Sequence, residues 1–239
     1  MPARKQNSRR EKLSCSRIAQ QAIAIIDRDG AEALTMRALS SDLHVEPMSL
    51  YSHFKNKGEL LAEVAAALLT EISLPSASVA PRKRLVVLAE QLRKLGHRHP
   101  NAFALIILNP HRIDAALRIT EAALDAYVQA GLSGRAAVQA QRVLIGFVRG
   151  YTMWEIGGFA IGCRPGPDQP LRERVVHDLR ALGESEFPNV HRLAESLTHF
   201  APDAEFQAGV NLILDATMPA RPSRTSAQPI KKRKPALAS

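Results

Sequence analysis

The stretch TMRALSSDLHVEPMSLYSHFKNK, residues 35–57, admits few folds. Leu39 and Leu43 stand one helical turn apart behind Thr35, a residue that accepts hydrogen bonds at a helix N-cap. A helix over Met36–Leu43 is predicted, with Leu39 and Leu43 on its buried side. His44-Val45-Glu46 then makes a tight turn, and Pro47 suits the first turn of a next helix, where its missing N–H costs nothing. That helix is expected to end near Phe54. Asn56 can cap another, which carries Leu60, Leu61, Val64 and Leu68 to about Ile72. An upstream helix, Ser16–Asp29, places Ile18, Ala22, Ile25 and Ile26 on one face and stops at Gly30.

Two short helices across a tight turn are the layout of a helix-turn-helix DNA reader. Such a unit needs an apolar set that fixes the two helices, here Leu39, Leu43, Val45, Leu50 and Phe54. It also needs short polar side chains on the outer face of the second helix, which enters the major groove; Met48, Ser49, Ser52 and His53 fit that face. Tyr51 combines a ring that packs with a hydroxyl that can reach a phosphate, and Arg37, Lys55 and Lys57 can hold the backbone. Spacing alone fits a generic helical hairpin with a solvated polar face as well.

The rest of the chain also reads as helix, with no period-two alternation that predicts strands. Ser73–Pro81 is a connector. Helices are expected at Arg82–His97, Asn101–Leu108, Pro110–Ala130, Arg135–Ala160, Leu171–Leu182, Val190–Phe200 and Asp203–Thr217, with a loop at Cys163–Pro170. The fold class is therefore all-α, a helix-turn-helix domain at 16–72 followed by a larger helical domain at 82–218.

The net charge of +9 lies in two flanking segments. Residues 1–18 hold six basic side chains and one acid; residues 219–239 hold six basic side chains and no acid, so the stretch between them is slightly acidic. Residues 1–15 are expected to be a disordered basic arm and 219–239 a disordered basic tail. The reader segment 19–72 has four basic groups against eight acids, so the arm (Arg4, Lys5, Arg9, Arg10, Lys12, Arg17) is expected to supply much of the attraction to phosphates. No secretory signal and no membrane-length apolar run is visible, and Cys15 and Cys163 sit in no metal spacing. The expected setting is reduced and cytoplasmic.

At its carriers the sequence closely resembles the TetR (tetracycline repressor) family of bacterial transcriptional regulators. These are Leu34–Leu39, Leu43-His44-Val45, the run Leu50-Tyr51-Ser52-His53-Phe54-Lys55-Asn56-Lys57, and Glu59-Leu60-Leu61, within a match over about residues 16–65. The resemblance implies that Arg37 contacts DNA from the second helix and that Pro47, Met48 and Ser49 face bases. It implies that Tyr51 and His53 hold phosphate or sugar and that Lys57 holds phosphate. His44 stands where the family usually has Gly, which calls for either a left-handed histidine or a slightly different turn. Ser52 stands where Tyr or Trp is frequent.

The resemblance also implies a homodimer, with a four-helix bundle built from Arg135–Ala160 and Asp203–Thr217 of each subunit, and a ligand cavity inside each. Candidate effector contacts are His97, Phe103, Ile107, Phe147, Tyr151, Trp154 and Glu155, a set that suits a hydrophobic or aromatic molecule. The drug- and magnesium-binding pattern of the tetracycline branch is not found; Ser73 sits where its histidine is sought. His97-Arg98-His99 has two histidines two apart, which point in different directions on a helix, so a helix-end or hinge role ranks ahead of metal binding. No cofactor, metal or catalytic residue is expected, since no nucleophile–base spacing or Gly-rich phosphate loop is seen. The expected function is a ligand-responsive repressor of a palindromic double-stranded operator. The alternatives are an architectural, nucleoid-type DNA-binding protein that uses the basic tails, and, further behind, a helical enzyme.

Overall fold

The computed structural model describes residues 13–108, 114–157 and 169–219. These form twelve α-helices and, among the described residues, no strand: α1 (Cys15–Asp29), α2 (Met36–Leu43), α3 (Pro47–Tyr51), α4 (Lys57–Thr70), α5 (Pro81–Arg98), α6 (Pro100–Leu108), α7 (Asp114–Gln129), α8 (Gly134–Ile156), α9 (Gln169–Ala181), α10 (Pro188–Arg192), α11 (Ala194–Leu197) and α12 (Pro202–Thr217). The basic arm before Leu13, the tail after Pro219, the start of the expected helix at Pro110 and most of the expected loop 163–170 lie outside the described residues.

Side-chain caps start α1, α2 and α4. The Ser14 side chain accepts from the Arg17 N–H at the start of α1, Thr35 from Ala38 at α2 and Asn56 from Glu59 at α4. Glu59 reaches back to accept from the Lys55 N–H at 2.8 Å, which ties down the segment entering α4. Gly30 takes φ 86° at the end of α1, a conformation open to glycine at little cost. His44 adopts the left-handed conformation (φ 55°, ψ 45°) at the end of α2. There its N–H donates to the Ser41 carbonyl and the Val45 N–H to the Ser40 carbonyl, a Schellman closure with histidine in glycine's usual place. A left-handed non-glycine residue costs about 1–2 kcal/mol. After the larger entropy loss of glycine is subtracted, His44→Gly raises stability by about 0.5–1 kcal/mol, readable as a higher melting temperature.

α3 is shorter than the sequence predicts, ending at Tyr51 rather than near Phe54. The Ser52 hydroxyl donates to the Ser49 carbonyl at 2.7 Å and closes the helix early. Phe54 still reaches the core, with its N–H on the Leu50 carbonyl. Val190–Phe200 is two short helices, not one. Only Ala194 and Thr198 are buried along it, so no continuous apolar face holds a longer helix, and the Thr198 hydroxyl turns back onto the Ala194 and Glu195 carbonyls.

α1 packs along α4, and both rest on α6, so the reader is seated directly on the body. In the body α5 is central, against α7 and α8, and α12 lies along α8. α5 and α8 approach closely at Gly96, where an added Cβ would collide with Thr152 Cγ2. One core runs from Ile18, Leu39 and Leu50 through Leu68 and Leu85 to Phe206 and Leu214.

Candidate nucleic-acid interface and effector cavity

α3 is pinned from one side only. Leu50 is fully buried, while Pro47, Met48, Tyr51 and Ser52 face solvent, Met48 with 75% of its surface open. Ser49 is half-buried at the start of the helix. Arg37 on α2, with Lys55 and Lys57 at the entry to α4, is also exposed. His53 is half-buried, with its Nδ1 3.8 Å from Cys15 Sγ at the start of α1. Eight of the nine residues singled out from the sequence thus fall between the start of α3 and the first turn of α4, and the ninth, Arg37, near the start of α2. An exposed, mostly uncharged tip flanked by cations can enter a groove and hold its phosphate edges.

The reader is tied to the body by a polar cluster at the end of α5. His99 Nδ1 lies 2.6 Å from Asp27 Oδ2 of α1, and His99 Nε2 lies 3.1 Å from Glu71 Oε1 just after α4. Arg98 pairs with Glu71 as well, and Asn101 donates to the Asp27 carbonyl. Gln91 clasps the backbone of Ser73 in both directions at 2.7 Å. His97 points away from this cluster, with its Nε2 3.1 Å from Glu155 Oε2. The two histidines therefore serve different partners, and His99 stands at the junction of reader and body.

Glu155 is the centre of a second network. Arg93 donates to both of its oxygens, at 2.7 and 2.8 Å, and pairs through its third nitrogen with Asp203 of α12 at 2.8 Å. Arg93 also lies over the Phe206 ring, 4.8 Å from its centroid. Phe147, Tyr151 and Trp154 join Phe200 and Phe206 in an aromatic cluster. Burial pushes the Tyr151 hydroxyl well above its ordinary range, and neighbouring Glu205 adds to the shift. Phe103 is fully buried, packed beside Gly96.

A cavity of about 230 Å³ lies elsewhere, between α4, α5, α7 and α8. Leu69 lines it from α4, and Leu88 and Leu92 line it from α5. α7 contributes Ala116, Ile119, Thr120 and Ala123; α8 contributes Gln141, Leu144, Val148 and Arg149. Ala89 of α5 with Ala116 and Ala123 of α7 put small side chains on its wall. None of His97, Phe103, Ile107, Phe147, Tyr151, Trp154 and Glu155 lines this cavity. The one legible sign of it in the sequence is that alanine and threonine spacing on α7, which reads equally as ordinary close packing.

The family model for bacterial regulatory proteins of the tetR family matches residues 18–64, and the model for the tetracyclin repressor-like C-terminal domain matches residues 80–217. The chain belongs to the TetR family. A relative, an HTH-type transcriptional regulator from Saccharopolyspora erythraea, is 31% identical over 190 residues, 77% of this chain and 76% of its own length. Among solved structures, the TetR family protein ActR from Streptomyces coelicolor, in complex with actinorhodin, matches with a TM-score of 0.73 at 25% identity, covering 86% of this chain and 97% of its own. BioQ, also solved from Mycobacterium smegmatis, matches in complex with its double-stranded DNA operator at a TM-score of 0.56 and 25% identity, covering 78% of this chain and 99% of its own. The TetR membership makes this chain a transcriptional regulator built on a helix-turn-helix. No helix among the described residues is long and apolar enough to cross a membrane.

Proposed function

We propose that this protein is a ligand-responsive repressor that binds a palindromic operator as a homodimer and is released when a small hydrophobic or aromatic effector occupies the cavity between α4, α5, α7 and α8. The observation that carries this reading is the position of α4. Its first residue is Lys57, beside the DNA-facing tip, and Leu69 near its other end lines the cavity. Fourteen helical residues span about 20 Å, so one rigid rod joins the phosphate-binding end to the cavity wall. An effector that pushes Leu69 tilts the reader and changes the spacing of the two readers in a dimer.

The dimer surface is α8 with α12. Val143 (54% exposed), Gly146 and Gly150 form an open stripe on α8, and Leu212 on α12 is 71% exposed. Apolar and small residues at these spacings suit a helix–helix contact with a second copy. ActR, solved with actinorhodin, and BioQ, solved with its operator, support a ligand and a DNA partner for proteins of this shape.

Fluorescence anisotropy with DNA flanking the protein's own gene, against random-sequence competitor, tests the reading; equal affinity for both DNAs overturns it. The same assay separates attraction from reading. Replacing Arg4, Lys5, Arg9 and Arg10 by Ala weakens operator and random DNA alike and reduces the salt slope by about 0.9 for each phosphate no longer neutralised. Ser49→Ala instead alters operator preference, by about 1–3 kcal/mol for each base that Ser49 reads.

A further inference from the structure

Among the described residues the cavity wall carries one charged group, Arg149 of α8. The other buried or half-buried arginines among the described residues of the body each meet a carboxylate: Arg82 meets Asp215 at 2.8 Å, Arg84 meets Asp125 at 2.7 Å, and Arg93 meets Glu155 and Asp203. Arg149 meets none among the described residues, and its Nε is enclosed without an acceptor. Among those residues no Asp or Glu lines the cavity. Burial lowers the guanidinium's hold on its proton, with no neighbouring anion to offset the effect. A guanidinium stays charged in proteins, so this half-buried cation faces the apolar walls partly desolvated, with an enclosed Nε–H that has no acceptor.

We propose that the effector is an amphipathic anion: an apolar, ring-sized body whose carboxylate or phenolate pairs with Arg149. This rests on the reading of the cavity as the effector site. Leu88, Leu92, Ile119 and Val148 take the apolar body, and the planar guanidinium fork gives a carboxylate two parallel hydrogen bonds. Gln141 stands two helical turns before Arg149 on α8, about 12 Å along the axis. A second polar group at the far end of the ligand would meet it there. A neutral hydrophobe leaves Arg149 desolvated and unpaired, so the site discriminates against it.

The test uses the full chain and two probes of the same shape, naphthalene-2-carboxylate and naphthalene-2-carboxamide, by isothermal titration. The carboxylate is expected to bind tighter than the amide by on the order of tenfold. Arg149→Met abolishes that preference while leaving the amide's affinity in place, and Arg149→Lys retains part of it. Leu88→Trp fills the cavity and removes binding of both probes, with the helical circular dichroism signal confirming that each variant folds. Equal affinity of the two probes for the unaltered protein overturns the anion inference but leaves the cavity as effector site. A preference that survives Arg149→Met also overturns it, and needs no comparison beyond the one variant. If neither probe binds up to millimolar concentration, the reading of the cavity falls, and the inference falls with it.

Discussion

Replacing Arg93 by methionine lowers stability by about 3–5 kcal/mol, because Glu155, with 2% of its side chain exposed, is left as a buried carboxylate with His97 as its remaining close partner. The loss is read as a shift of the urea midpoint. The informative control is the double variant Arg93→Met with Glu155→Met, which removes both charges and recovers most of the lost stability. If the single variant melts with the unaltered protein, the pair does not hold α5, α8 and α12 together. The prediction is large because the Arg93 geometry is bidentate and shielded. The Arg28–Asp29 pair on the surface is worth little by comparison.

The second large effect is at Leu50. It is the one buried residue of the five-residue α3, and its truncation to alanine removes the anchor of the recognition helix. Leu→Ala in a packed core costs about 2–5 kcal/mol. Total stabilities run about 5–15 kcal/mol, so the reader domain opens locally before the body unfolds. The expected result is a loss of operator binding together with faster hydrogen exchange over α2 and α3, while α5 and α8 keep their protection. Leu50→Met keeps the volume and restores binding. Exchange that rises equally everywhere contradicts a reader held separately by this residue.

The reader is legible in the sequence because its determinants are local. Thr35, Pro47 and Asn56 act on their own next turn, and Leu39, Leu43 and Leu50 declare their face by spacing. Even the oddity at His44 has a local answer, the left-handed conformation in a turn otherwise suited to glycine. The body is legible as helices but not as a site. The stripe Val143, Leu144, Phe147, Tyr151 and Trp154 reads as a single face, yet the structure divides it. Leu144 turns to the cavity, Val143 to solvent, and the rings to Phe200 and Phe206. Which face meets which neighbour is decided by tertiary packing across tens of residues, and a period of 3.6 carries no such information. Arg93 and Glu155, 62 residues apart, and His99 and Asp27, 72 apart, are invisible for the same reason. Arg149 escapes a reading of the sequence because a lone arginine on a helix normally sits on a solvated face. Its meaning comes from the carboxylate that the structure does not place beside it.

The most direct test of a two-reader regulator is a nuclease footprint on the DNA flanking the protein's own gene. Two protected half-sites are expected, about 34–36 Å apart, one helical turn, related by a twofold axis. Protection disappears with Ser49→Ala at the bases it reads and with Leu50→Ala throughout. Uniform coating of the DNA, with no half-sites and no response to Ser49, contradicts it.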